Sequence, residues 1–352
     1  MKSPTRRLGP LFCCLSAGAS IAAGACGDPP LVLPNDADVD SVNIGTDATS
    51  ATVDVTATDS GPRIDDRPTL LPDTTGSELP KPVEGEPLGG DRPARVVLPA
   101  NYDPARAWPL VVLLHGYSAG GTLEDLYLEF SPKASAAGWI VLVPDGTRDA
   151  FGFSFWNADP GWCCNFARAT VDDAGYLAEL IAEARARYHV DSDHIAAFGH
   201  SNGAFMAHTL ACDGRSGVTA VAALAGVLPS RTEDCDPPRP VSVLQIQGTL
   251  DLVIAYGGLA GSYPSVDTNV ERWRLYNRCK GAALAGDAKD YDFAILGAET
   301  HPTTSASCAA DTTVTLWRME ASGHLPIPMP AFVPDLLTWL GTHGTSAPFE
   351  AD

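Results

Sequence analysis

Beginning near Arg92, short apolar runs alternate with longer segments of helical periodicity. Short apolar runs are typical of buried strands, and the helical segments between them supply the crossovers that parallel strands need. The sequence therefore predicts an α/β fold with a mostly parallel sheet and helices on both faces. The predicted strands are 95–98, 110–114, 139–143, 194–198, 220–224, 241–247 and 314–317, and the predicted helices are 171–187, 202–211, 266–277 and 331–340. Thr170 and Asp173 form a predicted capping box for the first of these helices.

A G-x-S-x-G motif occupies residues 199–203, between the apolar run Ile195–Phe198 and the apolar segment Ala204–Leu210. A strand, a turn of this composition and a helix are the context of a nucleophile elbow. The turn is so tight that glycine is needed at both ends, and it exposes the serine oxygen at a helix N-terminus. The motif therefore predicts that Ser201 is a nucleophile.

A nucleophilic serine needs a histidine base, and the base needs an orienting acid. Asp251 follows the predicted strand 241–247, and His324 follows the predicted strand 314–317. Both lie at the carboxyl ends of strands, at the edge where such sheets hold their ligands. We therefore expect Asp251 and His324 to complete the set. His301 is assigned to a surface loop, and His343 to a frayed C-terminus, residues 343–352.

A His-Gly pair at positions 115 and 116 closes the first strong strand, and Gly120-Gly121 follow it. In an esterase such a loop supplies one backbone N–H group to the oxyanion hole, here from Tyr117, and Asn202 supplies the other. Taken alone, the pair is equally consistent with an ordinary turn. His200 is read as a packed neighbour of the nucleophile, because consecutive residues on a sharp turn point apart.

Six short motifs follow one another between about residue 88 and residue 340: Leu113-Leu114-His115-Gly116, Phe155-Trp156-Asn157-Ala158, Cys163-Cys164, Val171-Asp172-Asp173, Gly199-His200-Ser201-Asn202-Gly203 and Gly248-Thr249-Leu250-Asp251. In this order they resemble the secreted polyhydroxybutyrate depolymerase and feruloyl esterase group of α/β-hydrolases, which is related to the first carbohydrate esterase family. The resemblance implies the α/β-hydrolase fold over residues 91–342. It also implies Ser201 as nucleophile, Asp251 as acid and His324 as base.

Two positions depart from that group. The group often has histidine where this chain has Gln247, and a Thr-Trp-Pro run where this chain has Leu325-Pro326-Ile327. We expect both changes to border the acyl pocket and to affect the substrate more than the reaction.

The aromatic residues Phe151, Phe153, Phe155, Trp156, Trp162 and Phe166 are read either as a wall of the substrate site or as a loop packed on itself. His115, Trp156 and His200 are the candidates for lining the pocket.

The N-terminal region predicts export. Residues 1–25 combine a positive start with an uncharged stretch of apolar and small residues, as a signal peptide does. Cys26 follows a lipoprotein-like box and is predicted to carry lipid; the alternative is a plain secreted protein with a free thiol there. Residues 26–90 are read as a disordered acidic tether, because they are rich in Asp, Thr, Pro, Gly and Ser.

The cysteine count supports an oxidising compartment. Six cysteines lie in the predicted domain and can form three bridges: Cys163, Cys164, Cys212, Cys235, Cys279 and Cys308. We predict that Cys279 pairs with Cys308, and that Cys163 and Cys164 share out Cys212 and Cys235.

The formal net charge of −20 argues against a nucleic acid partner, because binding phosphates needs a basic surface. No metal-ligand spacing or nucleotide-binding motif is present, so no cofactor or metal is implied. The sequence thus predicts a monomeric, cell-surface or extracellular serine esterase that acts on a small or polymeric ester and touches a membrane only through a lipid anchor. Two alternatives remain open: a serine peptidase on the same fold, and a catalytically silent binding lipoprotein.

Overall fold

The computed structural model describes residues 87–158, 164–165, 169–228 and 235–343. Its strands are β1 (Arg95–Val97), β2 (Trp108–Leu114), β3 (Ile140–Val143), β4 (Thr147–Arg148), β5 (Ser154–Phe155), β6 (Val190–His200), β7 (Ala220–Leu224), β8 (Ser242–Gly248), β9 (Leu284–Ala285), β10 (Thr300–Ser305) and β11 (Val314–Met319). Its helices are α1 (Gly121–Leu128), α2 (Phe130–Ala136), α3 (Asp173–Arg187), α4 (Asn202–Asp213), α5 (Val266–Tyr276) and α6 (Phe332–Thr342).

The described strands form a nine-stranded sheet in the order β1-β3-β2-β6-β7-β8-β11-β10-β9 and a two-stranded ribbon of β4 and β5. The six central strands, β3 to β11 in this order, are parallel to their neighbours. The outer strands pair antiparallel: β1 with β3 at one side of the sheet, and β10 with β11 and β9 at the other. The carboxyl ends of β2, β6, β8 and β11 consequently lie along one edge, where the predicted site residues follow each strand.

Successive residues of β2 point to opposite faces of the sheet. Leu110, Val112 and Leu114 pack in one buried cluster with residues of α3, α4 and α5. Val111 and Leu113 pack in a second cluster with residues of α2 and α6. Because a strand alternates its side chains between faces, a run that is apolar at every position needs cover on both sides. The predicted mostly parallel sheet with helices on both faces is confirmed.

Several local predictions need correction. The N-cap of α3 is Asp172, whose side chain accepts a hydrogen bond from the Gly175 amide at 2.8 Å. Thr170 is therefore not the cap, and Asp173 is buried in an ion pair with Arg92 at 2.7 Å. The sequence reading missed α1, α2 and the polar strand β10, whose sequence THPTTS carries no apolar alternation.

The domain begins earlier than residue 91. Leu88 is fully buried and exchanges backbone hydrogen bonds with Ala94 at 3.2 and 2.7 Å. Residues 1–86 and 344–352 lie outside the described residues. The signal peptide, Cys26, nearly all of the tether and nearly all of the predicted frayed C-terminus thus remain predictions. No helix in the described ranges has the length and apolar character that crossing a membrane requires.

The structure pairs Cys279 with Cys308, as predicted. It also pairs Cys212 with Cys235, which corrects the prediction that these two cysteines bond to the Cys163-Cys164 pair. Cys212 lies in the last turn of α4, and Cys235 lies in the segment before β8. Cys163 lies outside the described residues.

Candidate active site

The turn that carries Ser201 joins β6 to α4. Ser201 has φ 53° and ψ −119°, a conformation that costs free energy for a residue with a side chain. A Cβ atom on Gly199 would lie 2.1 Å from the Gly203 carbonyl oxygen, and one on Gly203 would lie 2.1 Å from that of Leu114. Both glycines are therefore required by close backbone contact, as expected for a nucleophile elbow. The Ser201 amide donates to the Leu224 carbonyl at 2.8 Å, which ties the turn to β7.

His324 lies in the loop that follows β11 and reaches across to the turn. Its Nε2 atom is 2.9 Å from Ser201 Oγ, and its Nδ1 atom is 2.8 Å from Asp251 Oδ2. The side chain of Asp251 is fully buried, whereas that of His324 is 15% exposed. The three residues that the sequence singled out are thus in direct contact, although 123 positions separate His324 from Ser201.

Both oxygens of the Asp251 carboxylate accept hydrogen bonds. Its Oδ1 atom accepts from the backbone amides of Val253 and Ile254 at 2.8 Å each. Its Oδ2 atom accepts from Gln247 Nε2 at 2.8 Å, in addition to the contact with His324. These contacts fix the orientation of the carboxylate that faces His324.

The position of Gln247 corrects the sequence reading. Its side chain is fully buried and donates to Asp251 and to the Ile254 carbonyl at 2.9 Å. It therefore holds Asp251 in place by a hydrogen bond and, because it is fully buried, does not border an acyl pocket. Leu325 and Ile327, the other departure, are more than half exposed next to His324. Only this second change lies on the open surface of the site.

The loop after β2 lies directly against the nucleophile turn. A Cβ atom on Gly116 would lie 3.4 Å from Ser201 Cβ and 3.4 Å from His200 Nδ1. The Tyr117 hydroxyl donates to Asp149 Oδ2 at 2.7 Å, and burial and Asp149 together raise the pKa of Tyr117. The Tyr117 hydroxyl is thus held at Asp149, in the loop before β5.

The three candidates for lining the pocket are buried: His115 and Trp156 have no exposed surface, and His200 is 5% exposed. This corrects their assignment, because they lie behind the site. The Trp156 amide donates to Asn202 Oδ1 at 2.6 Å, and its indole N–H donates to the His115 carbonyl at 3.0 Å. Trp156 thus ties the first residue of α4 to the loop after β2.

The His115 ring has a defined tautomer. Its Nε2 atom accepts from the Gly146 amide at 2.9 Å, so the proton is on Nδ1, which donates to the Gly116 carbonyl at 2.8 Å. Burial lowers the pKa of His115 below its ordinary value. A neutral, fully hydrogen-bonded ring has no capacity left to act as a base.

The remaining candidates for the base and the acid are His301, His343 and Asp267, and they lie in other parts of the domain. His301 is exposed, as predicted, but it lies in strand β10 opposite Arg318, so its assignment to a loop was wrong. His343 Nδ1 lies 2.6 Å from the Trp339 carbonyl. Asp267 accepts a hydrogen bond from the Tyr256 hydroxyl at 3.0 Å. The N-cap of α5 is Ser265, whose hydroxyl accepts from the Thr268 amide.

Sequence reasoning missed two buried polar residues around the site: Glu124 and Asp292. Asp292 Oδ2 accepts from the Ser322 hydroxyl at 2.6 Å, and its Oδ1 accepts from the Ile327 amide at 3.0 Å. No motif marks these residues, and only their burial identifies them. In the described ranges, no group of three or more His, Cys, Asp or Glu side chains is arranged to hold a metal ion.

The aromatic segment divides between the two readings. Phe155 and Trp156 are buried in the core, whereas Phe151 and Phe153 are 66% and 39% exposed. Phe153 packs beside the Tyr117 ring at 5.9 Å between centroids. The buried Phe155 and Trp156 therefore support the interpretation as a packed loop. The exposed Phe151 and Phe153 leave apolar surface near the loop after β2. Trp162 and Phe166 lie outside the described residues.

A sheet that carries a serine elbow, a buried carboxylate and a histidine at the carboxyl ends of its parallel strands is the architecture of α/β-hydrolases. Residues 85–291 match the model of the Esterase family, which is described as "Putative esterase". The match spans more than half of the chain, and the chain belongs to this family.

Curated relatives include "Putative esterase NocK" of Nocardia uniformis subsp. tsuyamanensis, which is 34% identical over 158 residues, 43% of this chain and 42% of that protein. "Feruloyl esterase B" of Piromyces equi is 28% identical over 197 residues, 53% of this chain and 35% of that protein. "Dipeptidyl-peptidase 5" of Aspergillus fumigatus is 32% identical over 115 residues, 32% of this chain and 15% of that protein. The chain thus spans less than half the length of each of these relatives.

Among solved structures, the acetyl xylan esterase from Aspergillus awamori aligns with a TM-score of 0.51 at 15% identity. The alignment covers 71% of this chain and 93% of that one. At this identity the likeness concerns the fold alone, and it agrees with the α/β-hydrolase architecture of the sheet.

Proposed function

We propose that this chain is an exported serine esterase that hydrolyses carboxylic esters through an acyl-enzyme. The observation that carries the proposal is the continuous set of contacts from Ser201 Oγ through His324 to Asp251, at 2.9 and 2.8 Å. Membership of the Esterase family supports an ester as the substrate. The position of the set at the carboxyl edge of a parallel sheet is where α/β folds hold ligands.

The proton on His324 follows from its neighbours. A carboxylate can only accept hydrogen bonds, so Nδ1, which faces Asp251, carries hydrogen. Nε2 then has a lone pair that faces the Ser201 hydroxyl and can take its proton. Ser201 Oγ attacks the ester carbonyl, and His324 passes the proton to the leaving alcohol as the acyl-enzyme forms. Water activated by the same ring then releases the acid.

The tetrahedral intermediate needs donors for its oxyanion. We assign this role to the backbone N–H groups of Tyr117 and Asn202. Two observations support the assignment: Asn202 is the first residue of α4 and directly follows the nucleophile, and the loop that holds Tyr117 packs against Ser201 through Gly116. A helix N-terminus also favours developing negative charge.

The surroundings of the site favour a neutral ester. Residues 92–352 carry a net charge of −12, which disfavours a polyanionic substrate. Leu325 and Ile327 leave apolar surface beside the base. These features suit an apolar acyl group, a polyester such as polyhydroxybutyrate, or a feruloylated or acetylated polysaccharide. A substrate panel across these classes separates them.

A peptidase is the second candidate, because a 115-residue segment matches "Dipeptidyl-peptidase 5". The match spans 15% of that protein, and the intact set of Ser201, His324 and Asp251 serves esters and amides alike. Parallel assays with a short-chain nitrophenyl ester and a dipeptide anilide decide between them. A third possibility, a silent binding lipoprotein, predicts no turnover of either compound.

The decisive variant is Ser201→Ala. It should lower kcat by about 10⁴ or more, leaving what the remaining binding and oxyanion contacts provide. A fluorophosphonate probe should label the parent at Ser201 and leave the variant unlabelled. Ser192→Ala, an exposed serine on the same strand, should behave as the parent. Near-parental turnover by Ser201→Ala would end the serine-esterase proposal.

Export is proposed from residues 1–25, and lipidation from Cys26. The pairs Cys212–Cys235 and Cys279–Cys308 support an oxidising compartment. With lipid on Cys26, the monomeric protein should partition into membranes, and Cys26→Ser should release it, because each buried CH₂ contributes about 0.8 kcal/mol to anchoring. An intact mass showing an unmodified Cys26 at the mature N-terminus would refute the anchor and leave export standing.

A further inference from the structure

A buried carboxylate lies beneath the nucleophile turn. Glu124, in the first turn of α1, is 3% exposed. Its Oε2 atom accepts from the Gly116 amide at 3.2 Å, one residue before the proposed oxyanion donor Tyr117. Its Oε1 atom is buried and accepts no hydrogen bond from the described residues. A buried carboxylate oxygen left in this state is costly unless a positive charge lies near it.

That charge is provided by His200. His200 Nδ1 lies 3.6 Å from Glu124 Oε1, which is long for a hydrogen bond but within reach of an ion pair. His200 Nε2 lies 3.0 Å from the carbonyl oxygen of His324. A carbonyl only accepts hydrogen bonds, so Nε2 carries hydrogen. If Nδ1 were bare, its lone pair would face an anion, and the arrangement therefore favours a ring protonated on both nitrogens.

The other groups around His200 agree with this state. The rings of Tyr127 and His324 flank it, with centroids at 5.9 and 5.1 Å. Burial alone would lower the pKa of His200, but Glu124, the His324 carbonyl and the charge of Asp251 raise it above its ordinary value. The geometry thus favours a protonated His200 in contact with Glu124, and in this form it has no role as the base that serves Ser201.

We propose that Glu124 and His200 form a buried positioning pair, which holds the loop of the oxyanion donor at Gly116 and the loop of the base at the His324 carbonyl. The inference rests on the proposed esterase function. A buried ion pair is often no more stable than apolar residues of similar size, so the benefit here is geometric. Three loops, which follow β2, β6 and β11, meet at these two side chains.

The first test changes the His200 end. His200→Leu should lower kcat on a short-chain nitrophenyl ester by about 10²-fold, the scale of a small misplacement of reacting groups, with little change in KM. His200→Gln carries an amide N–H that can reach the His324 carbonyl, and it should recover about tenfold of the loss. His200→Asn keeps an amide near Glu124 but is too short to reach that carbonyl, so it should resemble His200→Leu.

The second test changes the other end. Glu124→Leu removes the acceptor for the Gly116 amide and should lower kcat as His200→Leu does. Glu124→Gln keeps that acceptor and offers an N–H to a neutral His200, so it should retain most of the activity. His208→Leu is the matched control: it removes another buried histidine, which contacts Gln245 and Trp273. It should lower Tm but leave kcat close to that of the parent.

Fluorophosphonate labelling rates at Ser201 accompany every assay, because they report the serine whatever its natural substrate. A parent that neither labels nor hydrolyses esters overturns the esterase proposal together with this pair. If the parent is active and His200→Leu folds with a normal kcat and labelling rate, the positioning pair is overturned and the esterase proposal stands. If the leucine variants do not fold, equal kcat in His200→Gln and His200→Asn overturns it equally.

Discussion

The turn that carries Ser201 and the loop that carries His324 meet at one point but are built in different ways. The turn owes its shape to backbone packing. A Cβ atom on Gly199 would meet Gly203 within the turn, and one on Gly203 would meet the Leu114 carbonyl at the end of β2, so no Cβ atom fits at either position. The loop has no such motif. Its shape depends on side chains that come from distant parts of the chain.

Those distant contacts are specific. The Ser322 hydroxyl donates to Asp292, which lies 30 positions earlier, at 2.6 Å. The Tyr127 hydroxyl donates to the Pro326 carbonyl across 199 positions at 2.5 Å. Burial raises the pKa of Tyr127, which keeps its hydroxyl protonated and able to donate. The nucleophile is therefore positioned by backbone sterics, and the base by long-range hydrogen bonds.

The comparison teaches why the two residues differ in how readily sequence reveals them. A steric requirement leaves a fixed spacing of glycines, which can be recognised in one short segment. A set of long-range hydrogen bonds leaves polar residues scattered through the chain, with no spacing in common. The same difference predicts how each region responds to substitution.

The largest loss of kcat is expected on changing Asp251, the acid that orients His324 towards Ser201. Asp251→Asn keeps the shape of the side chain but favours the wrong tautomer of His324, and it should cost up to about 10⁴ in kcat. Asp267→Asn is the control, because its carboxylate accepts from the Tyr256 hydroxyl and touches no member of the set. Steady-state kinetics on both variants measure the difference. Normal turnover by Asp251→Asn together with an inactive Asp267 or Asp292 variant would reassign the acid.

A smaller but still severe effect is expected from Gly203→Ala. Its new Cβ atom would meet the Leu114 carbonyl, so the turn must move and Ser201 with it. A displacement of about 1 Å can cost about 10²-fold in kcat, and the measurement is kcat beside the midpoint of thermal unfolding. Gly341→Ala, in the last turn of α6, meets only the edge of Trp139 at 3.4 Å. Gly341→Ala should keep full activity. Equal losses of kcat in Gly203→Ala and Gly341→Ala would show that the Ser201 turn is no more sensitive to an added Cβ atom than an ordinary helix.

The smallest effect is expected from Ser322→Ala, because the loop of His324 has several anchors. The variant removes a donor from a buried Asp292 oxygen, which should lower the free energy of unfolding by about 1–3 kcal/mol. We expect kcat to fall by less than in Gly203→Ala. Denaturant unfolding and kinetics measure both quantities, with the exposed Ser192→Ala as reference. A loss of kcat larger than that of Gly203→Ala would show that one hydrogen bond dominates the loop.

Much of the fold was predictable, because buried parallel strands are apolar at every position. The strand predicted at 220–224 agrees with β7 residue for residue, and the predicted helix 202–211 lies within α4. Strand β10 was missed because its sequence is polar and its strand conformation is stabilised by pairing with β11 and β9. Helices α1 and α2 were missed as well, because both are too short to show a clear apolar period.

The site was predictable to a different degree. Ser201, Asp251 and His324 were each selected for following a strand, and the structure brings them into contact. Their catalytic roles stay predictions until the variants are measured. Glu124 and Asp292 were not selected, because an acid in a polar stretch looks solvated until the fold buries it.

By itself the sequence determined the features that are visible in neighbouring residues: the spacing of the glycines around Ser201, and the periodicity that separates strands from helices. Short-range sterics and burial patterns act within a few residues and leave a readable spacing. Only the tertiary structure decided the pairing of Cys212 with Cys235, the burial of His115, Trp156 and His200, and the contact of His200 with Glu124. These features depend on distances through space, which are set only when the layers of the domain pack together.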